Sequence, residues 1–268
     1  MESTLENQLN FYNEFKDWYF KIINNFDFDP KLDYEARDHL SDILHSKKKG
    51  YKLEKILISF KEHIQNKPNI LIFGCGPSLE DTVRNLLKYR NTGIFNKCIN
   101  LAADGASVLL KEKSIPILAI FSDLDGITKN EFDYSLFNVV HAHGDNIERL
   151  NFFKKEIQEF QNVIGTTQVE PVEFVLNPGG FTDGDRILYF IRTLIRPSQK
   201  IFLIGMDFKN IIGKYSKLDM KSNQEGTLIK KKKLQYAVKL LQWIKSKISN
   251  PVFFMNSEVI SKEFHFIT

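Results

Sequence analysis

Acids sit where apolar runs of this chain end, and acids so placed can do chemistry. IPILAIFSDLDG, residues 115–126, is an apolar run that reads as a buried strand arriving at Asp123 and Asp125. Alternate residues of a strand face one side, so the two carboxylates are expected to point together, roughly 6–7 Å apart. At an effective dielectric near 20 they repel by about 2–3 kcal/mol, so a cation, a proton or a set of donors has to compensate. CINLAADGAS brings Asp104 to the end of another run, where it either caps a helix beginning at Gly105 or joins the pair. Asp104, Asp123 and Asp125 at neighbouring strand tips form a hard oxygen cluster suited to Mg²⁺ held together with substrate phosphates.

Further polar groups close other runs. In GCGPSLED, Gly74 and Gly76 permit a tight turn and the Ser78 hydroxyl can cap the next helix, whose N-terminus is then an anion site. No Gly-Lys-Ser follows, and Leu79 stands where a dinucleotide fingerprint needs its third glycine. HAHGDN, residues 141–146, offers His143, Asp145 and Asn146 for bonding a ligand or fixing a turn. NPGGFTDGDR, residues 177–186, is a loop with Gly179 and Gly180 in which Thr182 and Asp185 resemble a capping box. Asp183, Asp185 and Arg186 exceed what capping needs, and Arg186 can grip a phosphate or neutralise the acids. GMDFKNIIGKYS leaves a strand at Asp207 and presents Lys214 and Ser216 in a loop, a fit for a triphosphate clamp. The run Lys230–Lys233 spreads around the start of a helix and reads as solvated surface.

The elements that must position these groups follow from periodicity. From Asn69 the apolar runs NILIFG, CINLAAD, PILAIFSD, FNVVHAH, EFVLNP, IFLIGMD and PVFFMN alternate with amphipathic segments near 80–91, 105–114, 147–160, 184–196 and 228–248. That alternation predicts an α/β fold with a mostly parallel, doubly wound sheet, which binds ligands outside the carboxyl ends of its strands. Before it, Leu5, Leu9, Tyr12, Phe15 and Tyr19, then Leu53, Ile56, Leu57 and Phe60, recur at helical spacing. Two or three helices are expected there, with loops at DFDPKLDY and at KKKG (47–50), and no chemistry. The expected division is a helical N-terminal region, 1–66, and an α/β catalytic domain, 67–268.

A formal charge of +4 and a pI near 8.8 suit a small anionic ligand and fall short of the dense basic surface of a nucleic-acid binder. Cys75 and Cys98, both in apolar runs, read as reduced, buried thiols of an intracellular protein. No leader-like start and no run of bilayer length occurs, so the expectation is a cytoplasmic protein without a membrane partner.

Taken in order, GxGPSL, AADGA, SDLDG, HAHGDN, GTTQ (165–168), NPGGFTDGDR and GMDFxxxIGKYS resemble the archaeal-type 6-hydroxymethyl-7,8-dihydropterin pyrophosphokinases, or MptE-like family, over about residues 70–245. The family is distantly similar to thiamin pyrophosphokinases, whose acidic strand ends bind magnesium and ATP. NPGGF departs from the phenylalanine-glycine type of start expected there, leaving the magnesium roles intact. The resemblance implies transfer of diphosphate from ATP to the hydroxymethyl group of a reduced pterin, releasing AMP, in folate-like or tetrahydromethanopterin-like biosynthesis. It implies Mg²⁺ on Asp123 and Asp125 with Asp104. One of Asp145, Asp183 or Asp185 would orient the pterin or accept the hydroxyl proton, with Lys214 and Arg186 on the triphosphate. Gly74, Gly76, Ser78, His143, Asn146, Thr166, Thr167, Gln168, Gly179, Gly180, Asp207 and Ser216 are the other expected substrate contacts. The implied partners are ATP and a reduced pterin, with a homo-oligomer left open. Rival readings are a thiamin-type pyrophosphokinase, a nucleotide-sugar-dependent glycosyltransferase of the flagellin-modifying type, which shares the GxGPSL opening, and a non-catalytic nucleotide- or RNA-binding module.

Overall fold

A computed structural model of the chain describes residues 4–47, 50–90, 93–257 and 261–267. The loop expected at 47–50 falls partly on Lys48 and Lys49, outside the described residues. Four helices come first: α1 Leu5–Gln8, α2 Tyr12–Phe26, α3 Pro30–His45 and α4 Leu53–Gln65. DFDPKLDY is a loop only over its first three residues, 27–29; from Pro30 it is the start of α3. Asp29 caps it by accepting the Lys31 N–H, and Pro30 sits in the first turn, where a missing N–H costs nothing.

Strand–helix units follow: β1 Asn69–Phe73, α5 Leu79–Arg90, α6 Gly93–Asn96, β2 Ile99–Ala103, α7 Ala106–Glu112, β3 Ala119–Ser122, α8 Lys129–Phe132 and β4 Phe137–Ala142. After a 3-10 turn at Gly144–Asn146 come α9 Ile147–Phe152, α10 Lys154–Glu159, β5 Val163–Thr167, β6 Val175–Leu176, α11 Asp183–Ile191 and β7 Lys200–Ile204. An antiparallel ribbon, β8 Ile211–Ile212 with β9 Gln224–Glu225, precedes α12 Leu228–Lys245, β10 Val252–Met255 and β11 His265–Ile267. β5 and β11 are additions to the expected strands, because VIGTT and HFI are too short and too mixed to stand out as apolar runs. The helix expected over 147–160 is broken at Phe153.

The nine strands form one sheet, ordered β11-β10-β7-β1-β2-β3-β4-β5-β6, with every pairing parallel. The chain runs outward from β1 to β6 and then returns to lay β7 on the other side of β1. Such a reversal opens a crevice at the carboxyl ends of the two strands. The sheet is covered on both faces, which explains its unbroken apolar runs. Ile70 and Ile72 of β1 face a core with α1, α2, α4, α11 and α12, while Leu71 and Phe73 face a second core with α3, α5, α7 and α9. Helix α3 thus lies across the sheet from α2 and α4, and the N-terminal helices straddle the β5–β6 edge, covering strands that would otherwise invite pairing. Among the described residues no helix is long and apolar enough to cross a membrane.

Candidate active site

β3 ends at Ser122, so Asp123 and Asp125 lie in the turn beyond the strand rather than on its pleat. Leu124, at φ +74°, turns the chain there, and the Asp125 N–H donates to Asp123 Oδ1 at 3.3 Å. Asp104, at the tip of β2 with φ +45°, does not cap α7. Its Oδ1 accepts from Ser122 Oγ at 2.6 Å and from the Gly126 N–H at 3.2 Å. Each of Asp104, Asp123 and Asp125 offers an oxygen within 4.8 Å of the others.

The electrostatics mark this cluster as under-compensated. Burial, then Asp123 and Asp183, pushes Asp104 well above the carboxylate range; burial and Asp123 push Asp125 up to about 6 and Asp183 up to about 7. A dication among three converging carboxylate oxygens relieves that repulsion, so the donor set fits Mg²⁺ or a similar hard ion. A Cβ on Gly126 would lie 1.9 Å from Asp104 Oδ2. Gly126→Ala is therefore expected to displace Asp104, costing about 1–3 kcal/mol of stability and weakening Mg²⁺ binding in calorimetry. Wild-type Mg²⁺ affinity in that variant would refute the assignment.

His143 completes the cluster. Its Nδ1 accepts the Asp145 N–H at 3.3 Å, which leaves Nε2–H to donate to Asp123 Oδ2 at 3.1 Å. Burial alone would raise Asp123, but the His143 hydrogen bond and charge outweigh it and hold this acid well below the usual range. Asn146 fixes the turn, its Nδ2 donating to the carbonyls of Asp123 at 2.8 Å and His141 at 2.7 Å. Thr166 and Thr167 are buried in β5: Thr166 Oγ1 bonds His141 Nδ1 at 3.1 Å and Thr167 Oγ1 accepts the Val169 N–H at 3.4 Å. Both serve packing around the β4–β5 tips.

Thr182 and Asp185 form the expected capping box. Asp185, expected to be catalytic, is corrected by its surroundings. It is fully buried and accepts from the Phe181 N–H at 2.6 Å, the Thr182 N–H at 3.0 Å and Thr182 Oγ1 at 2.7 Å, so its carboxylate is consumed by the cap. Gly179 and Gly180, at φ +87° and +91°, shape the loop and line neither of the two cavities beside the cluster, and a Cβ on Gly180 would lie 2.8 Å from Arg186 Cα. Arg186 is buried and tied to the protein: Nη1 to Asp183 Oδ1 at 3.3 Å and Nη2 to Gln168 Oε1 at 3.2 Å. Gln168 Nε2 in turn donates to Asp33 Oδ2 at 2.9 Å, which also accepts from Tyr19 Oη at 2.8 Å, while Asp33 Oδ1 accepts the Gly144 N–H at 2.8 Å. Sequence reasoning missed Asp33; the signal available was an acid in the first turn after Asp29-Pro30.

Two cavities flank the cluster. The first, about 110 Å³, lies over the β1–β7 crevice and is walled by Gly74, Gly76, Asp104, Asp207, Phe208 and Leu234 among others. The second, about 400 Å³, includes Phe28, Asp33, Asp123, His143, Asp145 and Gln168. Thr182, Asp183, Lys230 and Lys233 line both. The two lysines, expected in solvent, are thus brought to the site: three residues apart, they share one face of α12. Lys214, expected on the triphosphate, pairs instead with Glu80 Oε2 at 2.6 Å and lines neither cavity. Ser216 lines the first cavity, its Oγ donating to the Cys75 carbonyl at 3.3 Å. The glycine turn is also less open to anions than expected. Gly74 and Gly76 donate their N–H groups to the Ile204 and Gly205 carbonyls at 2.8 and 2.7 Å. The Ser78 N–H and hydroxyl go to Asp207 Oδ2 at 2.8 and 2.6 Å, so that hydroxyl does not cap α5.

The raised acids give the metal-free protein a pH signature. Asp125 and Asp183 titrate near 6 and 7 when folded, against about 4 unfolded. The folded state therefore binds more protons across that window, and their contribution to stability, full below about pH 4, is lost as pH rises towards about 7. Asp123, held low, acts in the opposite sense only at more acid pH. Melting in EDTA is expected to fall from about pH 5 to pH 7, with Asp183→Asn flattening the slope and Mg²⁺ restoring stability at pH 7. A flat profile, unchanged in Asp183→Asn, would contradict this.

Fold and site together define an α/β protein with cavities at the topological switch point, beside an acidic cluster suited to a metal and next to two lysines. The 6-hydroxymethylpterin diphosphokinase MptE-like family model matches residues 41–213, and the chain belongs to that family. The 6-hydroxymethyl-7,8-dihydropterin pyrophosphokinase of Pyrococcus furiosus is 35% identical over 237 residues, spanning 87% of this chain and 94% of that one. The protein of the same name from Methanocaldococcus jannaschii is 36% identical over 248 residues, 88% and 97% of the two chains. That of Methanothermobacter thermautotrophicus is 33% identical over 231 residues, 85% and 92%. Among solved structures, the MAf glycosyltransferase from Magnetospirillum magneticum AMB-1 aligns with TM-score 0.46 and 12% identity, over 82% of this chain and 39% of that one. A likeness at that level carries no argument about activity.

Proposed function

We propose that this chain transfers the terminal diphosphate of ATP to the hydroxymethyl group of 6-hydroxymethyl-7,8-dihydropterin and releases AMP. The names of its relatives support the chemistry. The observation that carries it is the wall shared by the two cavities: Asp183, Lys230 and Lys233, next to Asp104, Asp123 and Asp125. In the reaction the hydroxymethyl oxygen bonds to the β-phosphorus, the bond from that phosphorus to the bridging oxygen of AMP breaks, and the hydroxyl proton passes to a base. Such a transfer needs positioning and charge neutralisation rather than covalent help. Asp104, Asp123 and Asp125 would hold Mg²⁺, which supplies neutralisation of phosphate charge. Lys230 and Lys233 bind phosphate oxygens from the α12 side. Asp183, anchored by Arg186 on the wall shared by the two cavities, is suited to accept the hydroxyl proton.

Incubation with ATP, Mg²⁺ and the reduced pterin is expected to yield AMP and the pterin diphosphate by chromatography. ADP in place of AMP, or equal turnover with thiamin in place of the pterin, would overturn the reading.

A further inference from the structure

Granting that activity, we infer that the two substrates divide between the two cavities: the second, walled by the N-terminal helices, takes the pterin, and the first, which opens to solvent over the β1–β7 crevice, takes one part of ATP while the rest extends out of it. Charge decides the division. The walls of the second cavity carry six carboxylates, Asp27, Asp29, Asp33, Asp123, Asp145 and Asp183, against Arg186, Lys230 and Lys233 as cations. A triphosphate placed among the acids outside the shared wall and the metal cluster, Asp27, Asp29, Asp33 and Asp145, is repelled. A neutral reduced pterin is attracted, because its amino group, N3–H and N8–H are donors that seek acceptors. The first cavity has only Asp104, Asp183 and Asp207 facing the same two lysines, and its remaining walls include Met206, Phe208, Ile212 and Leu234, apolar surface for a purine face.

The second cavity also has the shape chemistry of a planar bicycle. Phe28 and Phe181 line it, with Lys233 Nζ 5.4 and 5.8 Å from their ring centroids, at the junction with the first cavity. Arg186, more than nine-tenths buried, lines it too, held by Asp183 and Gln168. Asp33, saturated by Tyr19, Gln168 and Gly144, receives no ligand itself but fixes the cavity rim in place, so the rim needs little rearrangement. With the pterin here and ATP opposite, the hydroxymethyl group and the β-phosphorus meet over Asp183, Lys230 and Lys233. The N-terminal helices are then specificity elements.

Leu32 lies at the cavity's outer wall and is 41% exposed, so Leu32→Trp can fill the space without disturbing the core. It is expected to raise the KM for the pterin about tenfold or more, with the KM for ATP within about twofold, and Phe28→Ala to act in the same direction. Phe208→Ala is expected to do the reverse. Binding is read independently of turnover by fluorescence titration with 6-hydroxymethylpterin and by calorimetry with a non-hydrolysable ATP analogue. Leu32→Trp should weaken only the pterin. Loss of nucleotide affinity in Leu32→Trp, or no change in either ligand, overturns the division. Absence of AMP from the wild type with intact, Leu32-dependent pterin binding would instead refute the activity and leave the subsite standing.

Discussion

Asp123→Asn is expected to lower kcat/KM for AMP formation by about 10²–10³-fold while the protein stays folded. Asp123 is the acid of the cluster that remains ionised, through its bond to His143, and after burial its negative charge is the main influence that raises Asp104, Asp125 and Asp183. Neutralising it removes one oxygen ligand and one anionic centre, yet no strand or helix leans on this side chain. Loss of repulsion should leave melting in EDTA unchanged or raised, and should move the Asp183 titration to lower pH. Activity within about tenfold of wild type, with the melting profile unaltered, would sink both the metal assignment and the account of the raised acids.

Lys230→Ala and Lys233→Ala are each expected to cost about 10²-fold in kcat/KM, against a few-fold at most for Lys214→Ala. Burial and the neighbouring Lys230 both lower the Lys233 pKa, as expected for a cation drawn from solvent into a site that awaits anions. Lys214 already has its counter-charge in Glu80. The double variant should lose less than the product of the single losses, because both side chains would serve one phosphate chain. Kinetics of the three variants at fixed ionic strength checks this, and the opposite ranking would return the triphosphate to the β8–β9 loop.

Much of this molecule was legible in one dimension. Continuous apolar runs such as NILIF and INLAA can only be strands buried on both faces, which means parallel pairing under two layers of helices. The polar residues closing those runs had to gather at one sheet edge, and Thr182 with Asp185 announced a helix start. The misreadings have a common cause. Asp183 and Asp185 are the same residue type two positions apart, but Asp185 is saturated by the cap it makes and Asp183 faces two cavities. Lys214 sits in a loop of the type that clamps phosphates, yet a helix more than a hundred residues earlier supplies its partner. Phe28 and Asp33 belong to the α2–α3 junction and the first turn of α3, whose local pattern speaks only of packing.

The sequence by itself therefore determined the strand–helix order, the sheet edge at which polar groups gather and the types of group offered there, because periodicity and capping are local properties of the chain. Only the tertiary structure decided which of those groups is free to act. That depends on which donors and charges arrive from elements remote in sequence, as Asp207 does for Ser78 and α12 does for the acids of β2 and β3.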